Sequence, residues 1–219
     1  MRPSTPLPSP RAFYRRIFGA LALVALAAAL ASCAFSPRPS PAKRTFLLDP
    51  AMPAALAAPK PAALRVGVVN VGAPFRGKAF VYRQDDLRFE ADFYNEFFVA
   101  PAAMLSESTA RAMAASNAFR RVVPPGATAD DGDYVLDGFA SELYGDARDA
   151  GKPAAVLSIT FFLSSANAAI PTVLWSREYR QRVGFTGSDP EALVRAWNAA
   201  LSTILADLAR DLAAAELPK

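Results

Sequence analysis

From Pro153 to Ser176 the chain runs 24 residues without a charged side chain, and the way that stretch folds decides whether the protein is built around a membrane span or around a sheet. The length suits a bilayer-crossing helix. The content does not: Ser158, Thr160, Ser164, Ser165, Asn167 and Pro171 interrupt it. Leu157, Ile159, Phe161 and Leu163 alternate with Val156, Ser158, Thr160 and Phe162, a period of two with apolar residues on both sides, as in a strand buried on both faces. The pattern predicts a buried strand, a turn over Ser164 to Ile170 and a returning strand over Thr172 to Phe185.

The same periods organise the rest. Leu64, Val66 and Val68 alternate within Leu64 to Val71, a strand pattern. Lys78 to Arg83 and Asp86 to Glu90 read as two short strands with Gln84-Asp85 as a hairpin link. Pro101 suits the first residue of a helix to about Ser116, with Met104, Leu105, Ala112 and Met113 on one side. Phe119 to Val123 and Tyr134 to Leu143 return to strand character. At the C-terminus Ser188 and Glu191 form a capping box around Pro190, and Leu193, Trp197, Leu201, Ile204, Leu208 and Leu212 follow at spacings of three and four. The expected fold is α+β (α/β mixed): a single domain over 64–219, its mixed β-sheet packed on one side by two main helices.

The N-terminus has the layout of an export signal. Arg11, Arg15 and Arg16 precede an uncharged apolar stretch, Ile17 to Leu30, and Leu30-Ala31-Ser32-Cys33 follows directly. This end resembles the lipobox of bacterial lipoproteins, which implies cleavage between Ser32 and Cys33 and acylation of the Cys33 thiol. Residues 1–32 are then a lipoprotein signal peptide. The competing reading is a retained anchor, because Ile17 to Phe35 is an uncharged run of 19 residues, although Ala-rich. A diacylglyceryl group with an N-acyl chain supplies three tails, a durable anchor at ~0.8 kcal/mol per buried CH2. Residues 33–63 read as the lipidated Cys and a Pro-rich tether, with Pro37, Pro39 and Pro41 favouring extended chain and a short strand at Thr45 to Leu48.

Charge and composition exclude much else. The chain carries 24 Lys+Arg and 20 Asp+Glu, but residues 1–32 hold four Arg and no acid, so the remainder is formally neutral and gives no basis for nucleic-acid binding. With no His, a Ser-His-Asp triad, a Cys-His pair and a His-bearing zinc site are unavailable, and one Cys forms no intrachain disulfide. No phosphate-binding or dinucleotide motif is present, so no catalytic residue, metal or cofactor is assigned. Asp130-Asp131-Gly132-Asp133 is the one dense acidic cluster; it lacks the spacing of a calcium loop and reads as a turn. The aromatics Phe89, Phe93, Tyr94, Phe97 and Phe98 read first as core and edge packing, with contact to a partner or lipid as the alternative. Tyr82, Arg83, Phe97 and Phe98 are the candidate contacts for a partner protein or lipid.

With these segments in order, the chain resembles the ABC-type transport auxiliary lipoprotein family, the PqiC-like outer-membrane lipoproteins. The resemblance rests on Cys33, "TFLL" at Thr45 to Leu48, "LRVGVVNV" from Leu64, "FVYR" at Phe80 to Arg83, "FFVAPAAML" at Phe97 to Leu105, "DYVLDG" at Asp133 to Gly138 and the Trp197 helix. Where relatives commonly carry Trp before the Ala-Pro at the helix start, this chain has Phe98 and an added Val99. The resemblance implies an accessory part of an MCE-type lipid transport system, acting with an MCE-domain protein and its inner-membrane ABC permease and ATPase. Ala34 after Cys33, in place of Asp, implies the periplasmic leaflet of the outer membrane. Homo-oligomerisation stays open, as do a structural or assembly-factor lipoprotein and a solute-binding lipoprotein.

Overall fold

The computed structural model describes residues 42–127, 132–166 and 172–217, and Ala42–Lys219 forms one compact unit. Cys33, the signal peptide and the first part of the tether lie outside the described residues, as do Asp130 and Asp131.

The strands are β1 (Arg44–Phe46), β2 (Lys60–Val71), β3 (Ala79–Arg83), β4 (Phe89–Phe97), β5 (Phe119–Val123), β6 (Tyr134–Asp146), β7 (Ala154–Ser165) and β8 (Val173–Gly184). The helices are α1 (Pro101–Ser116) and α2 (Pro190–Ala214). The uncharged stretch is therefore sheet: Leu157, Ile159, Phe161 and Leu163 are fully buried in β7, which pairs antiparallel with β6 on one side and β8 on the other. Among the described residues, no helix is long and apolar enough to cross a membrane.

β6 is the spine of the eight-stranded mixed sheet. One edge pairs with β7 along its whole length. The other edge is shared: Tyr134 to Ala140 run parallel to β2, whose far side holds β5, and Gly145 and Asp146 run parallel to β3, followed by β4 and β1. Helix α1 packs on β2 and β5, and α2 packs on β7 and β8. Tyr179 donates to Asp211 at 2.6 Å and Arg177 reaches the same carboxylate at 2.9 Å, which ties β8 to α2. By strand alternation, Glu178, Arg180 and Arg182 point the other way. There they meet Ser158 (2.6 Å), Glu142 (2.6 Å) and Asp146 (3.4 Å), so the face without helices is a ladder of polar pairs.

A bulge in β2 shows how local irregularity is satisfied. The register slips by one residue between Val66 and Val69, freeing two backbone amides. Val68 N–H donates to Asp137 Oδ1 at 3.2 Å, and Val69 N–H donates to the Ser106 hydroxyl of α1 at 2.9 Å. Gly67 permits the close approach, since a Cβ there would lie 2.0 Å from Asp137 Oδ1.

The helices close the core. Trp197 of α2 is fully buried against Phe80 and Phe97, with ring centroids 5.1 and 5.4 Å away. α1 begins at Pro101 and ends at Asn117, which takes the left-handed conformation (φ 54°) that short polar side chains tolerate. The α2 cap differs from the expected one. Asp189, not Ser188, accepts the Glu191 N–H, at 3.2 Å, because Asp189 stands directly before Pro190 at the first turn.

The domain also starts earlier than Leu64. Residues 42–63 belong to the compact unit: Asp49 N–H donates to Asn198 (2.9 Å), Ala51 N–H to Ser202 (2.8 Å) and Leu56 N–H to Ser116 O (2.8 Å). Side chains and carbonyls of both helices thus replace the ladder that prolines deny this segment. The short strand expected at Thr45 to Leu48 runs Arg44–Phe46, and β2 begins at Lys60.

Candidate interaction surface

Tyr82, Arg83, Phe97 and Phe98 share the β3–β4 region, yet the structure gives them different environments. Phe97 is 2% exposed and packs on Phe80 (4.7 Å) and Trp197, so it is a core residue and offers no contact surface. Alternation explains this: Phe97 pairs with Phe46 at the inner end of β4, where the side chain turns towards α2. Phe98, one residue on, is 59% exposed.

Tyr82 is half-buried and borders a cleft of about 400 Å³ with Gly145, Asp146, Phe185, Asp189 and Leu193. Burial, then the nearby Asp92 carboxylate, pushes its hydroxyl up to about 12, so it stays protonated at neutral pH. A Cβ on Gly145 would lie 2.9 Å from the Tyr82 ring, so glycine is what lets the tyrosine lie flat on β6. Arg83 is occupied locally: Nε donates to Asp85 O and Nη2 to Asp86 O, each at 3.1 Å, and its guanidinium lies 5.5 Å from the Phe89 ring centre.

These contacts build the β3–β4 hairpin tip. Asp85 Oδ1 accepts the N–H groups of Leu87 (2.9 Å) and Arg88 (2.7 Å), bonds that hold its carboxyl below the ordinary carboxylate range. The turn spans five residues, Gln84 to Arg88, longer than the two-residue link expected, and it presents Leu87 at 93% exposure.

A second Asp-centred turn interrupts β4. Ala79 pairs with Glu96 while Val81 pairs with Ala91, so β4 carries extra residues between those points. Asp92 Oδ1 accepts the N–H groups of Tyr94 (2.8 Å) and Asn95 (3.0 Å), and Oδ2 accepts from Asn95 Nδ2 (2.8 Å). The bulge holds Phe93 and Tyr94 edge to face at 5.1 Å with exposures of 69% and 43%, and Lys43 sits 5.5 Å from the Phe93 ring centre. Leu87 was not singled out by sequence, and Phe93 and Tyr94 stood there within an aromatic group read first as core and edge packing. The available signal was an Asp two and three residues before the amides it captures, in Asp85-Asp86-Leu87-Arg88 and Asp92-Phe93-Tyr94-Asn95.

A separate apolar groove of about 760 Å³ runs between α1 and β5, lined by Val68, Ala103, Ala110, Val122 and Pro124, with Glu107 and Arg111 also on its wall. Among the described residues, no group of three or more His, Cys, Asp and Glu side chains is placed to hold a metal ion. Asp133, from the acidic cluster, accepts the Ala63 N–H at 2.7 Å and so anchors β2.

No family model matches the chain, and no curated protein matches it. Solved structures do. Protein XCC0632 from Xanthomonas campestris, described under family model DUF330, superposes with a TM-score of 0.66 at 17% identity, covering 75% of this chain and 92% of that one. An uncharacterised protein gives a TM-score of 0.61 at 16% identity, covering 78% and 99%. A PelC dodecamer from Paraburkholderia phytofirmans gives 0.37 at 19% identity, covering 71% and 92%, too loose a likeness to bear on assembly. The chain therefore shares its α+β fold with XCC0632 and with the uncharacterised protein.

Proposed function

We propose that this protein is an outer-membrane-anchored periplasmic lipoprotein that serves as an accessory of an ABC/MCE-type intermembrane lipid transport system and has no catalytic activity of its own. The observation that carries the reading is the sequence Leu30-Ala31-Ser32-Cys33 at the end of an Arg-led apolar segment, placed a few residues before the α+β domain. A fold shared with a DUF330 protein supports it. Cys33 supplies the membrane attachment, residues 34–41 the reach, and the domain a surface on which the periplasmic end of the MCE assembly docks. Ala34 favours the outer-membrane destination.

In-cell crosslinking of the full chain, followed by pull-down and mass spectrometry, tests the transport role. The expected result is recovery of an MCE-domain protein together with its permease or ATPase. Recovery of cell-wall or assembly factors in their place would assign the protein to envelope structure and contradict the transport reading.

A further inference from the structure

The described chain begins beside the most exposed apolar residues of the sheet. β1 runs parallel to β4, with Arg44 opposite Asn95 and Phe46 opposite Phe97. Ala42 therefore lies towards the end of the sheet where β4 starts, and that end carries the hairpin tip with Leu87, then Phe89, then the Phe93–Tyr94 bulge. Lys43, the last residue before β1, already lies over the Phe93 ring.

Length restricts what can face this end. Cys33 precedes Ala42 by nine residues, which at ~3.1 Å each in extended Pro-rich chain span at most about 28 Å. A compact unit of this size is roughly 40 Å across. With Cys33 acylated, this length keeps the far side of the domain from the bilayer and favours the surface nearest Ala42.

The local charges suit a headgroup region without depending on anionic lipid. Arg88 pairs with Asp85 (3.5 Å) and Glu90 (3.4 Å), Lys43 with Glu96 (3.1 Å) and Arg83 with Asp86 (3.6 Å). Asp92 is held by the amides it accepts. What stands free of such pairing is apolar and aromatic, and aromatic rings concentrate at the membrane–water interface. Both Asp-centred turns fix the backbone, so the side chains are displayed at low entropic cost.

We propose that Leu87, Phe89, Phe93 and Tyr94 form a bilayer-contact surface, seated in the headgroup region of the phospholipid leaflet that holds the acylated Cys33. The proposal rests on the lipoprotein reading above and specifies which face of the domain meets the membrane. Docked in this way, the domain has a fixed orientation, with β5 and the α1 groove at the other end of the strand order.

Because acylation consumes the lone thiol, one introduced cysteine labels uniquely. The full-length acylated protein, carrying Leu87→Cys, Phe93→Cys or, as reference on β5, Arg120→Cys, is labelled with an environment-sensitive fluorophore. It is then reconstituted in phosphatidylethanolamine–phosphatidylglycerol vesicles with spin-labelled lipid as quencher. The inference expects about twofold or greater quenching at positions 87 and 93 and none at 120, unchanged between about 0.05 and 0.5 M salt since the contact is apolar. Equal, unquenched signals at all three positions overturn it, as does quenching that disappears with salt. A photocrosslinker placed at Phe93 in cells separates the occupants: adducts to phospholipid support the surface, and adducts to another protein chain overturn it. The mass of the Cys33 peptide is read in parallel. Acylated Cys33 with unquenched probes removes this inference alone, while unacylated Cys33 removes the lipoprotein reading beneath it.

Discussion

Arg148 grips Asp146 with two parallel hydrogen bonds, Nε to Oδ1 and Nη2 to Oδ2, both 2.9 Å long. Asp146 is buried at the end of β6, where Arg182 of β8 also reaches it at 3.4 Å and where Arg148 extends to Asp86 at 3.2 Å. The pair thus joins the sheet's spine to its last strand and to the β3–β4 hairpin tip.

The pH dependence of stability follows from that pair. Hydrogen bonds from Arg148 draw the Asp146 carboxyl down to about 2. A depressed carboxyl stabilises the fold fully above the unfolded value near 4, and the contribution is lost as pH falls through about 2. Arg148 is 40% exposed, so screening reduces the effect to roughly 1–2 kcal/mol. Urea denaturation of the wild type should show this loss between pH 4 and 2, and Arg148→Met should diminish it. An identical pH profile in the variant contradicts the assignment.

Gly67→Ala places a methyl against Asp137 Oδ1, the acceptor of the Val68 amide. The expected cost is ~1–3 kcal/mol, by overpacking. Asp137→Ala also destabilises by removing that acceptor, but in the double variant the clash is gone, so the combined loss should fall short of the sum. Thermal melts of all four proteins check this, and additive losses would refute it.

Trp197→Ala should lower stability by about 3–5 kcal/mol, because it opens a cavity among Phe80, Phe97 and the fully buried leucines of α2. Trp197→Phe should cost clearly less. Among the described residues the indole N–H has no hydrogen-bond partner, so only volume is lost. Denaturant midpoints of the two variants decide; equal losses would show that the indole makes a contact beyond packing.

Much of the fold was legible because burial imposes a period. β7 announces itself through Leu157, Ile159, Phe161 and Leu163, and α2 through Leu193, Trp197, Leu201 and Ile204, since each set must face one core. Residues 42–63 were not legible as part of the domain. Asp49 and Ala51 are held by side chains on α2, far along the chain, and no local pattern in a Pro-rich segment encodes such partners. The cap at Asp189 illustrates a closer ambiguity, as Ser188 and Asp189 both carry capping oxygens and only the backbone path selects one. At the candidate surface, Phe93, Phe97 and Phe98 look alike in sequence. The bulge that turns Phe93 outward depends on the Asp92 carboxylate capturing two amides, while Phe97 goes inward against Trp197.

The residue after Cys33 sets a further expectation for the proposed lipoprotein. Ala34→Asp should move the protein from the outer to the inner membrane, read by density-gradient fractionation. Unchanged fractionation would contradict the outer-membrane proposal while leaving acylation intact.

Anchoring of the mature protein through Cys33 is tested by the mass of the N-terminal tryptic peptide from the membrane fraction. Trypsin passes over the Arg38-Pro39 bond, so the expected peptide runs from Cys33 to Lys43. This peptide should begin at Cys33 and carry a diacylglyceryl thioether plus an N-acyl chain. A peptide beginning elsewhere, or a Cys33 with a free thiol, would contradict it.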